Sequence, residues 1–309
     1  MPAKPVAILI SDLHLSLHAP ACRADEDWLK VQAGYLEQVK MAAVLDKLPI
    51  LCAGDIFDRW NAPPELVNFA LQNLPDKMIC IPGQHDLPNH QLDDVHRSGY
   101  GVLIEAKKIV DLSGGTGAGM RVWYNDIMNV YGFGWDQPIT PPRIASSKLQ
   151  VALVHRYVWV NNKNSFPGAP EDGKVGAYKK MLRGYDVAVF GDNHIPFQVD
   201  TDYNCTIYNC GGFIRRKSDE INRVPGFGLL LADGTVERRK YNTVKDQFHP
   251  YAEPRLETPI DVAGFINELN SLGEQGFEFR TVVRQHLKKE EIPNEVRQII
   301  LTALDKEHE

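Results

Sequence analysis

Sulfur is sparse in this chain and shows no organisation. Its five cysteines among 309 residues are an odd number without CxxC spacing, which argues against a disulfide framework. Cys52 and Cys80 lie in apolar runs, where a thiol packs as a small core residue. Excess positive charge is also missing: the formal net charge is -6, so nothing global marks the chain for nucleic acid, although local basic runs could still touch phosphate. No hydrophobic run is long enough to cross a membrane. The apolar stretch in "MPAKPVAILISDLHLS" is too short for a signal region and runs straight into polar residues. A soluble, non-secreted, cytoplasmic protein is therefore expected. Internal repeats are absent, and the glycine-rich "SGGTGAGM" (113–120) lacks the GK[ST] ending and the helix of a phosphate loop. A hairpin loop is the expectation there.

What the chain does have is core: 43% of its residues are hydrophobic, enough for one large domain or two smaller ones. In the first hundred residues, short β-type runs ("VAILIS", "ILCAG", "MICIPG") alternate with helical patterns over 25–48 and from Pro63. That is the βαβαβ rhythm of a largely parallel sheet. From about residue 102 the strands crowd together: "RVWYND", "IMNVYGFG", "KLQVALVH", a helix over 176–182, then "DVAVFG", "PFQVD", "CTIYNCGG" and "GFGLLLADGTVERRKY". "ADGT" predicts a hairpin turn. Two packed sheets with helices outside would bury both kinds of strand. The proline- and charge-rich "HPYAEPRLETP" predicts a linker. The expected division is a large domain over 1–248 and a small α/β unit over 249–309, too small at about 50 residues to be a robust independent fold.

Five short segments place carboxylates, imidazoles and a carboxamide at the carboxyl ends of predicted strands. They are "SDLHL" (Asp12, His14), "GDIFDR" (Asp55, Asp58, Arg59), "GQHD" (Gln84, His85, Asp86), "VHRY" (His155) and "GDNH" (Asp192, His194). Strand ends are where loops converge in α/β sheets, so residues distant in sequence can meet there. Any one fragment reads more readily as a cap or an Asx turn. Five together need a common cause. The donor set is mixed nitrogen and oxygen with no thiolate, suited to Mn, Fe, Zn or Co. Two such ions can each bind a phosphate oxygen and generate a hydroxide nucleophile.

In order and spacing the five segments resemble the calcineurin-like metallophosphoesterase signature, D-x-H, G-D-x-x-D-R, G-N-H-[DE], a separate H, and G-H-x-H, over Asp12 to His194. "AGDIFDRWNAPPELVNFAL" and the aspartate after His85 resemble the SbcD-type DNA repair nucleases, including phage-encoded members. The resemblance implies a four-layer α/β/β/α sandwich of two mixed sheets as the catalytic domain over 1–248, with 249–309 placed like the small capping domain of those nucleases. It places one metal on Asp12, His14, Asp55 and His194, and a second on the bridging Asp55 with Gln84, His155 and Asp192. A metal-bridging hydroxide would attack phosphorus. His85 would serve as general acid or phosphate donor, oriented by Asp58 or Asp86, with Arg59 pairing with a carboxylate or a phosphate. The basic run Arg215, Arg216 and Lys217 is expected to contact substrate phosphate. Trp135 and Trp159 could stack bases, though packing is the commoner fate of such residues.

Two positions depart from the family pattern. Gln84 stands for asparagine and Asp192 for histidine, and both fall on the second metal. With Asp192, two divalent ions balance Asp12, Asp55, Asp192 and a hydroxide to a neutral cluster. Harder oxygen ligation tilts the expectation to Mn, with Mg next. The leading functional expectation is a two-metal phosphodiesterase acting on DNA as an exonuclease, or as an endonuclease on single strands. The resemblance adds an SbcC-type ATPase partner and a homodimer as expectations. Its rival is a small-molecule phosphoesterase acting on cyclic nucleotides or phosphomonoesters, and a binding module on the same fold ranks last.

Overall fold

The computed structural model describes residues 3–114, 122–143, 146–166 and 168–250. The chain divides into two units, Met1–Pro254 and Arg255–Glu309, and the described residues all belong to the first. The loop expected over 113–120 and the capping domain expected over 249–309 fall almost wholly outside them.

The first half follows the rhythm of its sequence. Strand β1 (Pro5–Ile10), helix α1 (Trp28–Val44), β2 (Ile50–Cys52), α2 (Pro64–Asn73), β3 (Met78–Cys80), α3 (Gly99–Glu105) and β4 (Ile109–Asp111) come in that order. β1, β2, β3 and β4 pair in parallel. α1 starts where the Asp27 side chain accepts from the Lys30 amide at 2.9 Å, relieving one of the donors a helix start leaves without a partner. α2 starts on a proline, whose missing N–H costs nothing at that position.

The second half contributes β5 (Val122–Tyr124), β6 (Met128–Phe133), β7 (Leu149–His155), β8 (Val187–Gly191), β9 (Phe197–Asp200) and β10 (Thr206–Asn209). They form a second six-stranded sheet in the order β5-β6-β7-β8-β10-β9. The chain then returns to the first sheet as the hairpin β11 (Gly226–Leu231) and β12 (Val236–Lys240), giving the order β12-β11-β1-β2-β3-β4. The turn falls at residues 232–235, with Gly234 at φ 86°, a left-handed conformation that costs glycine least. Both sheets are mixed.

Three apolar clusters explain the layering. Leu9, Leu51 and Ile79 of the first sheet meet Val130, Leu153 and Val189 of the second. On the opposite face of the first sheet, Tyr35, Leu36 and Val39 of α1 and Leu66 and Ala70 of α2 cover Ile8, Ile50 and Met78. On the outer face of the second sheet, Tyr131, Ala152 and Phe190 pack under Tyr178, Leu182 and Tyr185. Here the sequence predicts a helix over 176–182, and the structure has a 3-10 turn over Val175–Tyr178 instead. Gly173, Gly176 and Gly184 bracket a stretch too short and too glycine-rich to sustain α-helix. Each buried aliphatic or aromatic side chain contributes about 1.5–3 kcal/mol, against about 0–1 kcal/mol for an exposed ion pair. The sandwich core therefore fixes where the strands end, and the site is built on those ends. Among the described residues no helix is long and apolar enough to cross a membrane.

Candidate metal centre

Five central strands deliver the chemistry at their carboxyl ends. β1 runs out into Asp12 and His14, β2 into Asp55, β3 into Gln84 and His85, β7 ends on His155, and β8 leads into Asp192 and His194. Asp12 (φ 52°), His14 (φ 44°), Asp55 (φ 53°) and Asp192 (φ 82°) all hold left-handed backbone. Non-glycine residues seldom accept that conformation, and it persists only where the surroundings enforce it. The enforcement is visible: the amides of Asp12 and His14 donate to the carbonyls of Gly54 and Asp55, both at 3.0 Å, lacing the two strand ends together. Glycine supplies clearance. A Cβ on Gly54 would strike the His155 ring, and one on Gly83 would strike the Asp55 carboxylate.

The donors converge in three overlapping groups, linked through Asp12, His14 and Asp55. Ligand atoms of Asp12, His14 and His194 lie within 4.8 Å of one another, as do those of Asp12, Asp55 and His155, and those of His14, Asp55 and His85. His14 Nε2 faces His194 Nε2 at 3.1 Å, and Asp55 Oδ2 lies 3.6 Å from His14 Nε2 and 3.5 Å from His155 Nε2. Gln84 joins the far side, its amide oxygen 2.7 Å from His155 Nε2 and its amide nitrogen donating to Asp192 Oδ1 at 2.9 Å. The eight-residue set of Asp12, His14, Asp55, Gln84, His85, His155, Asp192 and His194 is thus one cluster.

Its electrostatics call for cations. Asp55 Oδ2 is buried and has no hydrogen-bond partner, a costly state for a carboxylate oxygen. His155 donates from Nδ1 to the Ala53 carbonyl at 2.6 Å, so in the neutral ring Nε2 turns a lone pair toward the Gln84 oxygen, itself only an acceptor. Lone pair against lone pair is repulsive unless a proton or a metal ion intervenes. Without metal, burial opposes protonation of His155, yet the carboxylates of Asp55, Asp12 and Asp192 together raise the imidazole well above its ordinary range. Burial lifts Asp12 to about 6. It also pushes His14 well below the usual histidine value, against the pull of Asp55. These residues fit two divalent cations, with Asp12, His14 and His194 around one position, Gln84, His155 and Asp192 around the other, and Asp55 between.

The surroundings contain residues that carry no motif in the sequence. Glu220, buried at 4% exposure, stands 3.7 Å from His194 Nδ1 and accepts from the amides of Arg216 at 2.7 Å and Lys217 at 3.2 Å. It raises His194 against burial and directs the other ring nitrogen inward. Arg223 donates to the His194 carbonyl at 2.8 Å. A cleft of about 440 Å³ opens over the cluster, with Tyr157, Phe166, Lys217 and Arg223 in its walls. No local pattern in the sequence marks Glu220.

Other expected site residues sit differently. His85 is held by the Asp58 backbone carbonyl, 2.8 Å from its Nδ1, while the Asp58 carboxylate accepts from Arg216 at 2.7 Å. Asp58 therefore orients His85 through its main chain. Arg216 also donates to the His14 carbonyl. Asp86 turns inward and accepts from the amides of Ile56, Phe57 and Gly83, so it pins the loop and does not reach His85. Burial, reinforced by Asp55, raises Asp86 to about 7 in spite of those bonds. Arg215 faces away, bonded to Asp246 at 2.8 Å. Arg59 is exposed and lines a separate cavity with His18 and Asn61. Trp159 is buried, donating to the Pro170 carbonyl, and Trp135 packs between His90 and His155.

Residues 6–196 match the family model described as calcineurin-like phosphoesterase. The chain belongs to the calcineurin-like phosphoesterase family. No curated protein matches it. Among solved structures it is similar to a dimetal phosphatase from Danio rerio at 11% identity, with a TM-score of 0.46, covering 79% of this chain and 99% of that one. A second solved structure matches at 12% identity and a TM-score of 0.44, covering 77% and 100%. The family is one of metal-dependent hydrolases, and the candidate ligand cluster lies within the matched region.

Proposed function

We propose that this member of the family is a two-metal phosphodiesterase that cleaves DNA. One observation carries the catalytic part: two histidine–carboxylate groups meet across Asp55 at the floor of an open cleft, with His85 beside them. When bound, the ions supply charge against the phosphoryl oxygens and an activated water. The protein's own residues do the rest. His85 is exposed to the cleft, and its Nδ1–H donates to the Asp58 carbonyl, which leaves the Nε2–H of the imidazolium form to pass its proton to the departing alkoxide, the ring becoming neutral. Lys217 and Arg223 line the same cleft and provide cationic donors for the non-bridging oxygens. Arg216 positions Asp58 and His14 from behind.

A second reading, hydrolysis of a small phosphoester, is favoured by a specific observation. Two of the three basic residues expected to track a DNA backbone are committed elsewhere, Arg215 to Asp246 and Arg216 to Asp58, on a chain of net charge -6. The open cleft and its aromatic wall support the nuclease.

The test is purified protein with Mn and labelled single- and double-stranded DNA, alongside bis-p-nitrophenyl phosphate and His85→Ala. The nuclease reading expects DNA cleavage that falls about 10²- to 10⁴-fold in the variant. Cleavage of the small diester alone, lost in the variant, transfers the assignment to the second reading. DNA cleavage that the variant leaves unchanged refutes the site.

A further inference from the structure

Phe166 is a large apolar side chain left 51% exposed in the wall of a polar cleft. The chain commits a set of hydrogen bonds to keeping it there. Tyr157 lies two residues beyond His155, and its hydroxyl accepts from the Phe166 amide at 3.1 Å. The two rings meet at 4.9 Å between centroids and 59° between planes. The loop between them is fastened to the metal-site motif itself: Asn193, between Asp192 and His194 and 2% exposed, donates to the carbonyls of Val158 at 2.7 Å and Asn164 at 2.8 Å. Asn164 in turn accepts from the amides of Val160 and Asn161. An exposed phenyl on a slack loop would be unremarkable. One tied through a buried asparagine to the catalytic strand end, in the same cleft as Lys217 and Arg223, is positioned for a ligand.

We infer that the Tyr157–Phe166 pair is a stacking subsite for the planar base of a nucleotide whose phosphate lies over the metal centre. The inference rests on the phosphodiesterase reading and adds the base as a recognised group. An aromatic face accepts any base, since every base presents a π-face, so the subsite favours nucleotides over other phosphoesters without reading sequence. Lys217 and Arg223 complement it with charge for the phosphate.

Two diesters with one leaving group test this: thymidine 5′-p-nitrophenyl phosphate and methyl p-nitrophenyl phosphate, hydrolysed by the Mn-loaded full chain and by its Phe166→Ala variant. The subsite predicts a rise in KM of about 10-fold for the thymidine ester, little change for the methyl ester, and recovery in Phe166→Trp. Equal effects on both esters, or none on either, overturn it. Calorimetric binding of thymidine 5′-phosphate against methyl phosphate reads the same preference without turnover. If the wild-type chain cleaves neither ester, the hydrolase reading falls and calorimetry still decides the subsite. The oligonucleotide dT8 separates the sources: a loss for dT8 as large as for the thymidine ester assigns a polynucleotide, and a loss confined to the thymidine ester assigns a mononucleotide.

Discussion

The two halves of the candidate metal centre are held by different means. Around His14 and His194 the support comes from outside the ligand set: Glu220 backs His194, the Asp58 carboxylate stands 3.6 Å from His14 Nδ1, and Arg216 ties Asp58 in place. Around His155 a backbone carbonyl, that of Ala53, holds Nδ1, and the remaining support comes from the ligands themselves, Gln84 bridging His155 on one side and Asp192 on the other. A carboxylate behind a histidine raises its basicity and fixes its ring before metal arrives. An amide shared between two ligands must instead release one partner to take a metal. The first half is preorganised, and the second must rearrange on binding.

Asp55 is where both descriptions meet, so Asp55→Asn breaks the comparison most completely. Its Oδ1 accepts from the His85 amide, a bond the asparagine oxygen preserves, while an amide nitrogen at Oδ2 would face His14 and His155 as a donor. The metal-free variant should melt below the wild-type temperature, because against burial His155 and His14 hold the Asp55 carboxyl below its ordinary range, and removing one partner of a buried pair leaves the other uncompensated. Added Mn should no longer stabilise it, where saturation at 100 times Kd contributes about 2.7 kcal/mol to an intact site. Phosphoester hydrolysis should fall by about 10³-fold or more. A metal-dependent rise in Tm that survives the substitution would show that the two positions do not share Asp55.

Glu220→Gln and Gln84→Ala then separate the halves, with a smaller effect expected from each. Loss of a carboxylate behind a ligand histidine weakens metal affinity by about 10- to 100-fold. Calorimetric titration with Mn should show two binding steps, one weakened by Glu220→Gln and the other by Gln84→Ala. Both variants acting on the same step would erase the distinction between the halves.

The candidate ligands were legible in the sequence because each sits within four residues of a strand end, and strand ends are what hydrophobic patterning marks. Their supports were not, because tertiary placement decides them. Asp86 follows His85 directly and reads as its partner, yet the 3-10 turn over Gln84–Asp86 points His85 outward and buries Asp86 against three amides. Arg215 and Arg216 read as one basic run, yet neighbours in extended chain face opposite sides, sending one to Asp246 and the other to Asp58. Glu220 and Phe166 have no motif at all. Glu220 is brought to His194 by the segment between β10 and β11, and Phe166 reaches the cleft through the Asn193 anchor, neither visible in local pattern. The fold itself was read from its period-two and helical runs, except over 99–111, where the short α3 and β4 carry too few residues for a period to show, and over 176–182, where glycines shortened a helix into a turn.

The smallest expected effect tests what the second half prefers to bind. In Asp192→His an imidazole replaces a carboxylate that accepts from Gln84, at a left-handed position (φ 82°) that histidine tolerates better than most residues. Nitrogen ligation favours Zn over Mn more than oxygen ligation does. The change also removes one negative charge from a cluster that Asp12, Asp55 and Asp192 otherwise balance. Metal titrations of activity and of Tm should therefore shift the Mn-to-Zn preference toward Zn by about 10-fold, with Glu220→Gln leaving that ratio unchanged because it alters the other half. Wild-type protein fully active with Zn and inactive with Mn would overturn the assignment of the second half as an oxygen-rich site. A shift in Glu220→Gln equal to that in Asp192→His would show that metal preference belongs to the cluster as a whole and not to the half that carries the aspartate.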